Sequence, residues 1–323
     1  MIKLLPLLKQ ILAEGGNVFG TTAPINKEDI EPTLDKFIEE LSRIFPAKTS
    51  TFKTFERLGS VGKKAVSGDI DLGYDVKNLF PDGKTPDLKG WKIDKADFES
   101  KVALFAKRAR TATPEQLQLR AMVDLIGERI NQESDIVRTD AKQSGAGSIF
   151  CETGQYGTDG EELGKTVQTD INIGNPEWLK FSYYSATYEG NVKGLHRTQL
   201  LVALFGYKGY MFKHGQGVIN KETKEVEAKT PKEALALLNS LYGTNMSQDT
   251  LEDYHKTVEA IKKSISQEDF NGITDIYLKI LDSTRADIPT DFQKYWIKNQ
   301  ERLGLKGKFL PDNSALVQYK KEA

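Results

Sequence analysis

Apolar and polar positions switch between helical and extended spacing along this chain. Over residues 26–45 apolar side chains recur at helical intervals, Phe37, Leu41 and Phe45 among them. Asn26 is the expected N-cap, Glu28 and Asp29 suit the first turn, and Pro46 is the stop. Asp69, Ile70, Asp71 and Leu72 alternate, which predicts a strand over Asp69–Tyr74. Residues 81–93, rich in Gly, Pro, Asp and Lys, read as a loop. Residues 94–110 and 114–133 read as helices, the second opened by Thr113-Pro114-Glu115. Residues 135–157 predict a hairpin around Ser144-Gly145-Ala146-Gly147-Ser148, and 165–174 predict another strand.

Beyond residue 176 an aromatic-rich segment leads to a helix near 190–206. A hairpin of Tyr210–Phe212 against Val218–Val226 follows, then a helix from Thr230-Pro231. The tail, 249–303, is mainly helical in pattern, with Leu251, Tyr254, Val258, Ile261 and Ile265 on one face. At the start, Lys9 and Gln10 cut an apolar run, so a short amphipathic helix closed by Gly15-Gly16 fits better than an export signal. No run approaches the roughly 18–20 apolar residues of a membrane span. The expected fold class is α/β (α+β), a mixed β-sheet flanked by helices with a helical C-terminal region. The expected domains are 1–175, with a helical insertion at about 87–145, and 176–323.

Charge and cysteine usage narrow the classes. The 323 residues hold 45 Lys and Arg against 46 Asp and Glu, a net charge of -1. That excludes a histone-type nucleic-acid coat and leaves room for a local basic groove, for which Lys101–Arg120 is the candidate wall. A single cysteine, Cys151, excludes an internal disulfide framework and a Cys-rich zinc site, and fits a reducing cytoplasm. His196, His214 and His255 lack metal-ligand spacing, and no Gly-x-Ser-x-Gly elbow is present.

The informative stretch runs from Leu58 to Gly73. If Ile70 and Leu72 face the core, Asp69 and Asp71 project together from the other face, where their repulsion is relieved by a divalent cation. Upstream, Gly59 and Ser60 offer close backbone approach and a hydroxyl, and Lys63 and Lys64 offer cations. A triphosphate needs these groups. Gly68 eases the turn into the carboxylate strand. A third carboxylate is expected from Asp170, because Gln168, Asp170 and Asn172 share one face while Val167, Thr169, Ile171 and Ile173 take the other. Asp140 and Asp159 are rivals in turn-like settings. Gly160-Glu-Glu-Leu-Gly164-Lys165-Thr166 is one residue short for a phosphate loop and leads into a strand.

The run Gly59-Ser60…Gly68-Asp69-Ile70-Asp71 resembles the signature of the DNA polymerase beta-like nucleotidyltransferase superfamily. Lys63, Lys64 and Gly68 match the basic pair and glycine of its family X branch. Tyr183-Tyr184-Ser185-Ala186-Thr187, followed by Asn191 and Arg197, is similar to the family segment that cradles the incoming sugar and base. Here Ala186 and Thr187 replace its Gly and Ser. The likeness spans about residues 50–245, and the chain lacks a helix-hairpin-helix region. The resemblance implies a nucleotidyltransferase palm with a thumb-like part beyond residue 176 and a two-metal, in-line transfer of a nucleoside monophosphate from an NTP, such as ATP, to a hydroxyl. It implies two Mg2+ ions on Asp69, Asp71 and Asp170, and nucleotide contacts from Gly59, Ser60, Lys63, Lys64, Tyr184, Asn191 and Arg197. The expected partners are the nucleotide and an RNA or DNA 3′ end, with no membrane. The alternatives are transfer to a protein or small-molecule hydroxyl and a catalytically silent nucleotide-binding module on the same fold. Core packing is the competing role for Tyr183 and Tyr184. A surface ion pair is the competing role for Arg197.

Overall fold

The computed structural model describes residues 18–59, 61–63, 65–109, 112–140, 147–184, 194–284 and 286–305. It is a mixed α/β fold in two compact units that divide between Lys180 and Phe181. The expected opening helix, with Gly15-Gly16, lies outside the described residues, as do Ser60, Lys64 and Asn191.

The first unit is built on a five-stranded sheet. Its strands are β2 (Glu56–Arg57), β4 (Ile70–Asp75), β5 (Val137–Thr139), β6 (Ser148–Tyr156) and β7 (Glu162–Gly174), in the order β2-β4-β7-β6-β5. Strands β4 and β7 run parallel and every other pair is antiparallel. The expected hairpin over 135–157 is β5 against β6, with Ser144 outside the described residues. The segment 160–166 falls on the turn and first residues of the β6–β7 hairpin, which leaves no helix N-terminus for a phosphate loop there. A two-residue pair, β1 (Ile25–Asn26) with β3 (Val66–Ser67), ties the amino-terminal run to the segment just before Asp69.

Alternation along β4 and β7 makes one sheet face apolar. Ile70, Leu72 and Tyr74 of β4 and Val167, Ile171 and Ile173 of β7 all enter one core. Helix α1 (Ile30–Ile44) covers that face with Ile30, Leu34, Phe37, Leu41 and Ile44. A four-residue helix, α2 (Thr49–Phe52), adds Phe52. Helices α3 (Lys95–Arg108) and α4 (Pro114–Glu133) complete the layer through Phe98, Phe105, Met122, Ile126 and Ile130.

Local signals set the helix ends. Thr113 and Gln116 form a capping box at the start of α4, and Asp94 caps α3 through the amides of Ala96 and Asp97. Asn26 corrects an expectation. Its backbone is extended in β1 and its side-chain amide donates to Asp29, so the α-helix starts only at Ile30 after a single 3₁₀ turn. The 81–93 loop is pinned by Trp91, which is buried against Phe45, Phe52 and Tyr74.

The second unit is centred on α6 (Gly194–Tyr207), which follows α5 (Pro176–Ser182). Every α6 residue from His196 to Phe205 is buried. It packs on a three-stranded sheet, β8 (Tyr210–Lys213), β9 (Gly217–Asn220) and β10 (Val226–Ala228). The expected two-stranded hairpin is therefore a meander, in which Val226 belongs to the third strand and pairs with Ile219. Helix α7 (Pro231–Tyr242) starts with a capping box of Thr230 and Glu233. The tail forms α8 (Gln248–Glu252), α9 (Tyr254–Ser264), α10 (Gln267–Thr284) and α11 (Thr290–Leu303), with Tyr254, Val258 and Ile261 of α9 buried as their spacing implies. Leu251 is buried on the separate α8, and Ile265 is half-buried just past the end of α9. Among the described residues no helix is long and apolar enough to cross a membrane.

Candidate functional site

The polar face of the sheet, opposite α1 and α4, carries the acidic cluster. Asp71 and Asp170 are register partners across the parallel β4–β7 pair, so both carboxylates leave the same face. Asp69 lies two residues before Asp71, half-buried, at the turn into β4. The neighbouring positions along β7 on that face are polar as well, and the register partner of Asp170 on β6 is Phe150. Gln168 and Asn172 flank Asp170, and all three are buried. The face reads as exposed by alternation alone. In the fold it is covered at β7, where the run from Val18 to Ala23 reaches it: Val18 donates to Gln168 and Ala23 to Thr166, while Asp69 and Asp71 stay half-buried.

Burial changes the electrostatics. Desolvation, and after it the Asp71 carboxylate, push the Asp170 carboxyl well above the usual carboxylate range. The hydrogen bond from Gln168 pulls it down, and Asp69 pushes it further up. Burial also raises Asp69. Gln168 Nε2 donates to Asp170 Oδ2 at 2.9 Å, and Asn172 Nδ2 donates to Asp71 Oδ1 at 3.3 Å. The second Asp170 oxygen, Oδ1, is buried and has no hydrogen-bond partner among the described residues.

An unpaired buried carboxylate oxygen beside a second carboxylate is costly, and a divalent cation removes both costs at once. The donor set is all hard oxygen, which suits magnesium. Asp69, Asp71 and Asp170 thus fit such an ion in chemistry and burial. As the side chains stand, no group of three His, Cys, Asp or Glu among the described residues is gathered closely enough to hold a metal. Chelation would need the carboxylates to turn about their side-chain bonds.

Gly59 adjoins this cluster. It adopts φ +59°, and a Cβ at that position would lie 3.1 Å from Asp71 Oδ2. Glycine is thus required twice, for the left-handed backbone and for the close approach. Lys63 is exposed.

Other sequence candidates land elsewhere. Arg197, in the second unit, is buried. Its Nε donates to Leu251 O and its Nη1 to Phe181 O, both at 2.6 Å, which ties α6 to two neighbouring segments. Burial lowers its pKa to about 10. Neither a surface ion pair nor an open phosphate contact describes it. Tyr184 is half-buried beside the Arg197 guanidinium, and Tyr183 packs on His214 at 4.4 Å.

The basic stretch Lys101–Arg120 corrects an expectation. Its parts 101–108 and 114–120 belong to α3 and α4, which pack on the apolar side of the sheet through Phe105, Met122 and Ile126, opposite the carboxylates. Lys101 is paired with Asp124 and Glu128, and Arg120 lies over the Phe105 ring. Arg110 lies outside the described residues. Cys151 is fully buried, and desolvation raises its thiol well above the ordinary value, which suits a packing residue.

The residues missed in the sequence are the two amides, Gln168 and Asn172. Their signal was present, since they flank Asp170 at two-residue spacing on its own face.

No protein-family model matches the chain, and no curated protein matches it. Among solved structures it is similar to polymerase beta of Leishmania infantum in a ternary P/T complex, at 11% identity over 76% of this chain and 88% of that one, with a TM-score of 0.33. A ternary gap complex of the same enzyme matches at 10% identity over 68% of this chain and 69% of that one, with a TM-score of 0.32.

Proposed function

We propose that the chain is a magnesium-dependent nucleotidyltransferase that moves a nucleoside monophosphate from an NTP to a hydroxyl. The observation that carries this reading is the register pairing of Asp71 with Asp170 beside Asp69, with one Asp170 oxygen buried and unpartnered among the described residues.

Asp69 and Asp71 would hold two magnesium ions, and Asp170 would share the one nearer the attacking hydroxyl. Bound magnesium would supply charge neutralisation at the attacking and leaving oxygens. Gly59 and Ser60 would receive the polyphosphate on bare backbone, with Lys63 and Lys64 balancing its charge. Tyr184 and Asn191 are the proposed sugar and base contacts. In the transfer the acceptor oxygen bonds to the α-phosphorus, the bond from that phosphorus to the bridging oxygen breaks, and pyrophosphate leaves. The hydroxyl proton passes to Asp170 or to water.

A nucleic-acid 3′ end is the first acceptor to test. A protein or small-molecule hydroxyl gains weight because the helices that carry 101–108 and 114–120 pack on the opposite side of the sheet, with Lys101 paired to Asp124 and Glu128. The test incubates the full chain with each α-labelled NTP, magnesium, and a panel of tRNA, oligonucleotides, protein and small alcohols. Label transfer with pyrophosphate release is expected, and Asp71→Asn should abolish it. Absence of pyrophosphate release with every pair, or release unchanged by Asp71→Asn, overturns the reading.

A further inference from the structure

Two side-chain amides bracket Asp170 on its own strand face, and each is fastened at both ends. Gln168 Oε1 accepts the main-chain N–H of Val18 at 2.8 Å, while its Nε2 donates to Asp170 Oδ2 at 2.9 Å. Asn172 Oδ1 accepts Ser148 Oγ at 2.8 Å, while its Nδ2 donates to Asp71 Oδ1 at 3.3 Å. A primary amide has one accepting end and one donating end. A main-chain N–H can only donate, so Val18 fixes which end of Gln168 faces Asp170. Ser148, one strand over on β6, sits opposite Asn172 and donates its hydroxyl to Asn172 Oδ1, which leaves Nδ2 for Asp71.

We propose that Gln168 and Asn172 are positioning residues for the metal-binding carboxylates. Each holds one oxygen of its carboxylate, Asp170 for Gln168 and Asp71 for Asn172. Asp170 Oδ1 is left as the oxygen that a cation takes. Gln168 extends this alignment to the amino-terminal run through Val18, whose own segment continues into the β1–β3 pair beside the turn to Asp69. A neutral donor suits the task. It orients a carboxylate without cancelling the charge that a divalent ion needs, and partners of this outer kind tune metal sites strongly. The inference rests on the metal-site reading above, and the experiment separates the two.

The probe is manganous ion alone, followed by its electron paramagnetic resonance spectrum on the full chain, with melting in EDTA as the fold control. Wild type binds Mn2+, and Asp170→Asn loses that binding. Gln168→Met and Asn172→Leu weaken it ~10-fold or more at unchanged stoichiometry, the usual effect of removing an outer partner. Their spectra at saturation are altered, and label transfer returns when Mn2+ is raised to saturation. Val18→Pro, which removes the outer N–H while Asp170, Gln168 and Asn172 stay in place, weakens binding in the same direction, and covers the case in which Gln168→Met fails to fold. Affinities within twofold of wild type for Gln168→Met, Asn172→Leu and Val18→Pro, with Asp170→Asn still inactive in binding, overturn the positioning role and leave the metal site standing. Wild type that binds no Mn2+, or Asp170→Asn that binds it equally, overturns the metal site itself.

Discussion

Asp71 and Asp170, 99 residues apart in the chain, face each other as register partners on neighbouring parallel strands. Adjacent strands lie about 4.8 Å apart, so two carboxylates leaving one face at this register are held within each other's field. Hydrophobic burial of the opposite face, through Ile70, Leu72, Val167, Ile171 and Ile173, keeps them there.

Such a pair should cost stability until a cation arrives. Asp170→Asn is expected to stabilise the protein in EDTA by roughly 1–2 kcal/mol, because a buried charge beside a like charge is removed. Millimolar Mg2+ or Mn2+ should raise the wild-type melting temperature and leave that of Asp170→Asn in place. Thermal melts with and without the ion check both halves. Wild-type melting indifferent to divalent ions would count against the site.

Gly59 offers a way to disturb the site from outside the carboxylates. Gly59→Ala puts a Cβ where Asp71 Oδ2 stands 3.1 Å away and forces a side chain into φ +59°. The strained backbone should cost about 1 kcal/mol. The displaced Asp71 should lower Mn2+ affinity and transfer by far more than that loss of stability explains. Paired melting and binding curves separate the two effects.

Arg197 should behave as a structural brace. Arg197→Lys cannot reach Leu251 O and Phe181 O together, and leaves buried acceptors unmet. A loss of about 2–3 kcal/mol is expected from the unpaired groups. Urea unfolding measures it. Per folded molecule, the KM for NTP should stay unchanged, and a selective rise in KM would return Arg197 to the nucleotide.

Acid stability has a local source in the first unit. Lys48 Nζ, itself buried, bonds Asp87 Oδ2 at 2.6 Å and Asn78 O at 2.8 Å. The Lys48 hydrogen bond, with help from the Gly90 amide, holds the Asp87 carboxyl below its ordinary value, against a smaller opposing effect of burial. A depressed folded pKa stabilises the fold above the unfolded carboxyl value, and the contribution is lost as pH falls through the folded one. Asp87→Asn should remove roughly 1 kcal/mol at neutral pH and flatten the loss of stability between about pH 4 and the folded pKa. Denaturant titrations at several pH values test this.

Short-range signals were legible. Thr113 with Gln116 and Thr230 with Glu233 announced two helix starts, and both form capping boxes. Alternation over 69–72 and 167–173 assigned Asp71 and Asp170 to the polar side of their strands, while Asp69 falls at the turn before β4. Asn26 misled because the extended β1 pairing with Val66 displaced the cap it otherwise favours. Arg197 was unreadable as a buried group. Its partners are main-chain carbonyls at Phe181 and Leu251, and a carbonyl carries no side-chain identity. The basic run Lys101–Arg120 was visible as charge, but its side of the sheet was not, because that depends on which helix face Phe98, Phe105 and Ile126 bury.

By itself the sequence determined which face the Asp71 and Asp170 carboxylates take, since a pleated strand has a period of two and its apolar members must be buried. Only the tertiary structure decided that β7 lies next to β4 in parallel and in the register that sets Asp170 against Asp71. It also decided that Gln168 and Asn172 hold those carboxylates. Periodicity constrains a strand along its own length. Its neighbour is chosen by hydrogen bonds and burial shared with segments about a hundred residues away, and no local pattern encodes that choice.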